Sequence, residues 1–170
     1  MIPRILDLTR AFRGQLWQRT LVIILSVSGT MCLAESRLKV LMDDKLIKFL
    51  KNDRFATFMG IELVKMQPGY AEAKMEILEN HLNGLNMIQG GAIFTLADFA
   101  FAAAANASGH VTVGMNANIA YFKASKGKLL IAEAKEVSAS QKIAHYNVDV
   151  FNENNDHIAQ VSIIGYKKNE

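Results

Sequence analysis

Cysteine is nearly absent from this 170-residue chain, since Cys32 is the only one. A single cysteine excludes an intrachain disulfide and any zinc site built on several thiolates. The chain has only four histidines, none at the spacing of metal ligands: His81, His110, His145 and His157. We therefore predict no metal site.

The sequence also lacks the pattern of a serine hydrolase. It contains no nucleophile elbow and no Ser, His and Asp in a recognisable catalytic order. Internal repeats, low-complexity tracts and linkers are absent too, so one domain is predicted after the N-terminal segment. The strongest catalytic candidate that remains is a carboxylate, Asp98.

Positive charge is in excess only near the N-terminus. The formal net charge is +3, but residues 1–41 hold six Lys and Arg against two Asp and Glu, whereas residues 42–170 hold 13 against 14. A nearly neutral domain gives no electrostatic basis for binding nucleic acid. We therefore predict no nucleic-acid partner.

Residues 1–41 have the composition of a leader. Arginines precede an uncharged run over residues 20–34, which is shorter than the roughly 20 residues needed to span a bilayer. A signal peptide fits this pattern, with a small-x-small end at residues 32–34. Translation from Met42 would instead make the segment upstream sequence, and both interpretations stay open. The domain is predicted at residues 42–170, in the cytoplasm if translation starts at Met42, with no membrane partner.

An apolar helix is predicted from about residue 92 to residue 105. Only Thr95 and Asp98 interrupt it, and a helix that is apolar all round is normally enclosed by its domain. Asp98 would then be a buried carboxylate, which is costly unless it is paired or used. A hydrogen bond from Thr95 or from a loop donor would offset this cost, but a catalytic role explains the buried carboxylate better.

A polar loop and a glycine pair precede this helix. The loop contains Asn83 and Gln89, and the pair is Gly90 and Gly91. Amides at a helix N-terminus lack intrahelical partners, and glycine lets a ligand approach them, so they can hold an oxyanion. Gly90 and Asp98 lie about 12 Å apart along one helix. They can serve one reaction only if Asp98 comes from a second copy, which predicts a site shared across a dimer.

These residues together resemble a known signature. Asn83, residues 89–91, Asp98 and residues 105–109 are similar to the motif of hotdog-fold acyl-CoA thioesterases of the PaaI-like, phenylacetic-acid-degradation type. The resemblance covers residues 43–168 and departs from the family at Gln89, where histidine is common. It implies hydrolysis of an acyl-CoA substrate with no cofactor, since CoA is part of the substrate. It also implies a homodimer that pairs into a homotetramer.

The resemblance assigns a role to each site residue. The Gly90 N–H, helped by Gln89, would polarise the thioester carbonyl, and Asp98 would act as general base or nucleophile. Asn83 would position the water or the carboxylate. Gly91 would contribute to substrate binding.

Two lysines and one histidine are weaker candidates. Lys123 and Lys126, near a strand end, would meet the phosphates of CoA, although a solvated turn explains them better. His81 lies near the signature, and a loop histidine is more often solvated than a base. We therefore expect His81 to be exposed.

Alternation of apolar and polar residues predicts six strands. They cover residues 61–66, 69–78, 111–123, 129–138, 142–151 and 157–167. One apolar sheet face requires a cover, and the chain has one long apolar helix to provide it. The predicted fold is α+β, a hotdog fold with an antiparallel sheet wrapped around one central helix.

Two other functions stay open. A hotdog hydratase or dehydratase would need a His and acid pair, which Gln89 disfavours. A non-catalytic acyl-CoA-binding regulator would need a DNA-reading module, and no helix-turn-helix pattern precedes the domain. The acyl group is also open, because phenylacetyl-type, hydroxybenzoyl-type and medium-chain groups all fit the sequence.

Overall fold

The computed structural model describes residues 46–125 and 127–168, which belong to one compact unit, Asp43–Glu170. The predicted leader at residues 1–41 lies outside the described residues, so its nature stays a prediction. Within the two described ranges, no helix is long and apolar enough to cross a membrane.

An antiparallel sheet and one long helix make up most of the described chain. The helices are residues 46–51 (α1), Arg54–Phe58 (α2) and Gly90–Asn106 (α3), and the strands are Ile61–Gln67 (β1), Tyr70–Glu76 (β2), Thr112–Tyr121 (β3), Leu129–Ala139 (β4), Ile143–Asn152 (β5) and His157–Lys167 (β6). The strand order is β1-β2-β4-β5-β6-β3, and each strand is antiparallel to its neighbours. The predicted α+β architecture is confirmed.

Alternation located the strands well because one face of the sheet is buried. In β5 every second residue is buried, and every predicted strand boundary lies within two residues of the observed one. The long helix begins two residues earlier than predicted, at Gly90. The reason is that the side chain of Gln89 caps it, and a capped helix can start at a glycine.

Alanine on both surfaces allows α3 to lie close to the sheet. In the pairing of β2 with β4, Ala71 lies opposite Ala134 and Ala73 opposite Ala132, and all four are fully buried. The helix adds buried alanines of its own at positions 97, 100 and 104. Larger side chains in such a dense interface would strain it.

The C-terminal end of α3 is tied to the start of β3 by the buried side chain of Asn106. Its Nδ2 donates to the carbonyls of Ala102 at 2.8 Å and Thr112 at 3.1 Å, and its Oδ1 accepts the Thr112 N–H at 2.9 Å. Buried polar groups that lose their partners cost free energy. Asn106 therefore fixes the point at which the chain leaves the helix and enters β3.

We expect Asn106→Ala to lower the free energy of unfolding by about 2–4 kcal/mol, because buried backbone groups lose their partners. Ser108→Ala, at an exposed position two residues on, is the control and should change it by less than about 0.5 kcal/mol. Denaturant unfolding measures both. An Asn106→Ala protein as stable as wild type would contradict the role given to this side chain.

One stripe of α3 is left uncovered by the sheet. Gly91 and Asp98 are exposed, and Thr95 and Ala102 are only partly buried. Their spacing of four, three and four residues places them on one helix face. The expectation that the domain encloses this helix on all sides is wrong for the single chain, because a sheet covers only one side of a helix.

Candidate active site

The N-terminus of α3 has one backbone amide available to a ligand. Oε1 of Gln89 accepts hydrogen bonds from the N–H groups of Gly91 and Ala92. It thereby takes up the Gly91 amide, which a helix start leaves without an intrahelical partner, and shares the Ala92 amide with the Gln89 backbone carbonyl at 3.0 Å. The Gly90 N–H has no hydrogen-bond partner in residues 46–125 and 127–168. Gly90 is therefore the open donor, whereas the amide of Gly91 is occupied.

The loop before α3 is a small hairpin held together by Asn83. The Asn83 N–H donates to the Met87 carbonyl at 2.8 Å, and the Gln89 N–H donates to the His81 carbonyl at 2.8 Å. The Oδ1 atom of Asn83 accepts the N–H groups of Leu85 at 2.9 Å and Met87 at 3.2 Å. The oxygen of this side chain is thus committed to the loop. Only its Nδ2 group can face a ligand.

His81 lies at the base of this hairpin and is 1% exposed. Its Nδ1 accepts the Leu78 N–H at 3.2 Å, so a neutral ring carries its proton on Nε2. The expectation of an exposed histidine is wrong. A short 3-10 turn, Glu79–His81, directs the ring inward, and there it supports the loop.

Tyr121 braces the start of α3, a contact that no sequence pattern indicates. Its hydroxyl donates to the Gly90 carbonyl at 2.9 Å across 31 residues of chain. A Cβ at Gly90 would lie 2.7 Å from that hydroxyl oxygen. The contact therefore restricts position 90 to glycine and joins the end of β3 to the start of α3.

Asp98 lies on the uncovered stripe of α3, and its side chain has no hydrogen-bond partner among the described residues. Thr95, which the alternative interpretation made the partner of Asp98, donates instead to the Gly91 carbonyl at 2.8 Å. The carboxylate is exposed on one side, while its other side lies near Gly114 of β3, where a Cβ would be 3.9 Å from Oδ1. This partial burial raises the pKa of the Asp98 carboxyl, and repulsion from Asp53 adds to the rise.

The two lysines predicted to bind phosphate are Lys123 and Lys126. Lys126 lies outside the described residues. Lys123 forms an ion pair with Asp156 at 2.7 Å. Lys123 follows Tyr121 by two residues, and Tyr121 contacts Gly90, so this lysine lies at the same end of the fold as Gly90. Such exposed pairs are weak, so this lysine can exchange Asp156 for a phosphate. In the described part of the chain, no three His, Cys, Asp or Glu side chains are grouped so as to hold a metal ion.

The raised pKa of Asp98 predicts how stability changes with pH. A carboxyl with a higher pKa in the folded than in the unfolded chain is stabilising when protonated, and this contribution is lost as pH rises through the folded pKa. Asp98→Asn should therefore raise the midpoint of thermal unfolding at about pH 7, and the gain should disappear toward about pH 3.

Asp156→Asn is the control with the opposite sign. Hydrogen bonds from Lys123 and Asn152 lower the pKa of the Asp156 carboxyl. Its contribution is present at neutral pH and lost as pH falls, so this variant should unfold at a lower temperature than wild type at about pH 7. If Asp98→Asn also lowered the midpoint there, the proposed cost of the Asp98 charge would be wrong.

One long helix packed across a single antiparallel sheet is the arrangement of the hotdog fold. The solved structure of the Escherichia coli PaaI protein, from the phenylacetic acid degradation operon, superposes on this chain with a TM-score of 0.72. The two are 25% identical, and the match covers 75% of this chain and 94% of that one. The hotdog fold predicted from the sequence is confirmed.

Sequence comparisons identify the family. A model described as the thioesterase superfamily matches residues 85–159. A protein of Archaeoglobus fulgidus named "Putative esterase" is 40% identical over 121 residues, which cover 71% of this chain and 79% of that protein. Acyl-coenzyme A thioesterase PaaI of E. coli is 30% identical over 110 residues, 64% of this chain and 79% of that one. The chain belongs to the thioesterase superfamily and, as predicted, to its PaaI-like members.

Proposed function

We propose that this chain hydrolyses an acyl-CoA thioester to the free acid and CoA, at sites shared between two copies of the chain. The observation that supports the proposal is that α3 carries two groups without hydrogen-bond partners among the residues that the structure describes, the Gly90 N–H and the Asp98 carboxylate. They lie roughly 12 Å apart along the helix, too far for one acyl group to contact both. The E. coli relative, named as an acyl-coenzyme A thioesterase, supports the substrate class. Water and groups of the chain suffice for this reaction without a cofactor. An acyl-CoA substrate favours the cytoplasm.

The proposed chemistry assigns one half of the reaction to each helix. The Gly90 N–H holds the charge that develops on the thioester oxygen. Asp98 of the second copy takes a proton from water as the water oxygen bonds to the carbonyl carbon. The carbon–sulfur bond then breaks, and the CoA sulfur receives the proton. Direct attack by Asp98 gives an anhydride that water hydrolyses to the same products.

Two side-chain amides are the remaining donors of this site. The Nε2 group of Gln89 and the Nδ2 group of Asn83 are not the atoms that cap the helix or hold the loop. Each can donate to the thioester carbonyl or to the incoming carboxylate. We propose that they orient these groups, and that proton transfer belongs to Asp98, because an amide side chain does not titrate.

The free edge of β3 supports the sharing of the site. β3 ends the strand order, and it is exposed along most of its length. Long exposed edges that carry apolar residues, such as Val113 and Met115 here, are normally covered. Tyr121 contacts Gly90, and Gly114 lies beside Asp98. Antiparallel pairing of two β3 strands, with Tyr121 opposite Gly114 of the second copy, would bring Gly90 of each chain toward Asp98 of the other. Pairing of two such dimers into a homotetramer stays a prediction.

Release of free thiol from a panel of acyl-CoAs tests the activity. We expect wild type to release thiol and Asp98→Asn to lower kcat/KM by about 10²- to 10⁴-fold with the fold intact, since it removes the base. Glu133→Gln, on β4, is the matched change from carboxylate to amide and should leave kcat/KM unaltered. Binding without thiol release, or hydration of an enoyl-CoA in its place, would refute hydrolysis.

Hybrid dimers test whether the site is shared. Asp98→Asn removes the base, and Asn83→Ala removes the acceptor that orders the loop before Gly90, so each homodimer should be inactive. When the two variants are unfolded and refolded together, one site of every hybrid combines an intact loop with an intact Asp98. Random mixing makes about half of the dimers hybrid, so about a quarter of wild-type activity should return.

The controls for this experiment are the two variants refolded separately. Mass spectrometry of the mixture confirms that hybrids have formed. Hybrids that form without regaining activity would mean that each site takes both residues from one chain.

A further inference from the structure

Two loops of opposite charge meet at one end of the sheet. The basic loop, residues 122–128, joins β3 to β4 and contains three lysines. The acidic loop, residues 153–156, joins β5 to β6 and contains two carboxylates, Glu153 and Asp156. Asp156 forms its ion pair with Lys123, and Glu153 binds the end of the basic loop. The acidic loop therefore lies against the basic loop.

Glu153 accepts hydrogen bonds from two consecutive backbone amides. Its Oε1 accepts the Lys128 N–H at 2.8 Å, and its Oε2 accepts the Leu129 N–H at 3.3 Å. These bonds, the one from Lys128 first, lower the pKa of the Glu153 carboxyl, so it is ionised at neutral pH. A Cβ at position 127 would clash with Oε2 of Glu153, so Gly127 is what lets the carboxylate come this close. The end of the basic loop is thus a site that holds an anion.

This anion site lies beside the candidate active site. The Lys128 carbonyl accepts the Ile77 N–H at 2.8 Å, and Ile77 leads into the turn that carries His81 and supports the loop before α3. At its other end the basic loop follows Tyr121, which contacts Gly90. The basic loop therefore joins two segments that hold the start of α3. Because the phosphates of CoA lie far from its sulfur, a thioester bound at Gly90 can extend its CoA part toward this loop.

We propose that the Lys128 and Leu129 amides bind a phosphate group of the CoA substrate, and that Glu153 occupies their site in the free protein. Consecutive backbone N–H groups in a turn are a common phosphate site. A phosphate group offers several acceptor oxygens and at least the negative charge of the carboxylate. It also gains attraction from the exposed ammonium groups of Lys123 and Lys128. The inference rests on the proposed function, because it takes the CoA part of that substrate as the ligand.

Glu153 then competes with the substrate. Its side chain is exposed on a short loop, so the carboxylate can leave for water when a phosphate arrives. Hydrogen bonds and ion pairs at such exposed positions are weak enough to exchange. Only the molecules whose site is free bind the phosphate, so an internal competitor weakens the apparent affinity by the fraction that it leaves free. Removal of the Glu153 carboxylate should therefore strengthen binding of substrates that carry phosphates.

Two thioesters of the same acyl group, one on CoA and one on pantetheine, test this competition because only CoA carries phosphates. We expect Glu153→Ala to lower KM for the CoA thioester about 3- to 10-fold, with kcat within about twofold. KM for the pantetheine thioester should change by less than about twofold. An unchanged or higher KM for the CoA thioester, or the same change with both substrates, would overturn the proposal.

Glu76→Ala is the matched control for a general effect of charge. Glu76 is exposed and lies opposite Leu129 in the pairing of β2 with β4, so this variant removes a nearby carboxylate without freeing the two amides. It should change KM for either thioester by less than about twofold, because exposed charges interact weakly. Equal effects of Glu76→Ala and Glu153→Ala would reduce the result to long-range charge and overturn the site.

Amide NMR spectra of ¹⁵N-labelled wild type give an answer that depends neither on a variant nor on turnover. CoA should shift the Lys128 and Leu129 resonances, whereas pantetheine should not. CoA that leaves both resonances in place would overturn the site, and so would equal shifts with pantetheine. Shifts with inorganic phosphate but not with CoA would show a site for free anions and overturn the substrate assignment. Failure of wild type to release thiol from any acyl-CoA would instead refute the proposed function.

Discussion

The close packing of α3 on a strip of alanines determines where both ends of the helix lie relative to the sheet. Because alanines of β2 pair with alanines of β4 beneath the helix, the helix backbone can approach the sheet closely. Asn106 then ties its last turn to the start of β3, and Tyr121 ties its first turn to the end of β3. The helix is held at both ends against one strand. The stripe that carries Asp98 is the part that this arrangement leaves open.

Gln89 departs from the histidine that is common in the family, and its contacts give the departure a physical meaning. A carboxamide oxygen has two lone pairs and accepts both the Gly91 and the Ala92 amides, whereas a neutral imidazole offers one acceptor nitrogen. The cap therefore leaves Gly90 as the open backbone donor. It also places a side chain that does not titrate beside the proposed carbonyl site, which is why the proposed mechanism assigns proton transfer to Asp98 of the second copy.

Alternation in the sequence predicted the sheet because its buried face imposes a period of two, and the loop, glycine pair and Asp98 were visible as polar interruptions. The sequence did not predict the environments of individual side chains. Apolar residues on α3 look alike whether they face the sheet or a second copy, so the exposure of Asp98 was missed. His81 looked like a loop residue because its acceptor role toward Leu78 depends on a local turn. Tyr121 was missed because 31 residues separate it from Gly90.

The proposed dimer connects the stability of the fold with its chemistry. An uncovered β3 edge is an aggregation hazard, and a second copy would protect it while covering the open stripe of α3. Covering that stripe would desolvate Asp98 further and raise the pKa of its carboxyl more, as partial burial already does. Donors from the second copy must offset this, or the carboxylate would stay protonated and unable to act as a base. The Asn83 and Gln89 amides are suited to that task, since each has used its oxygen within its own chain and has its NH₂ group left to donate. The dimer contact would then act on the pKa of Asp98 in two opposite ways, because burial raises it and the donated hydrogen bonds lower it.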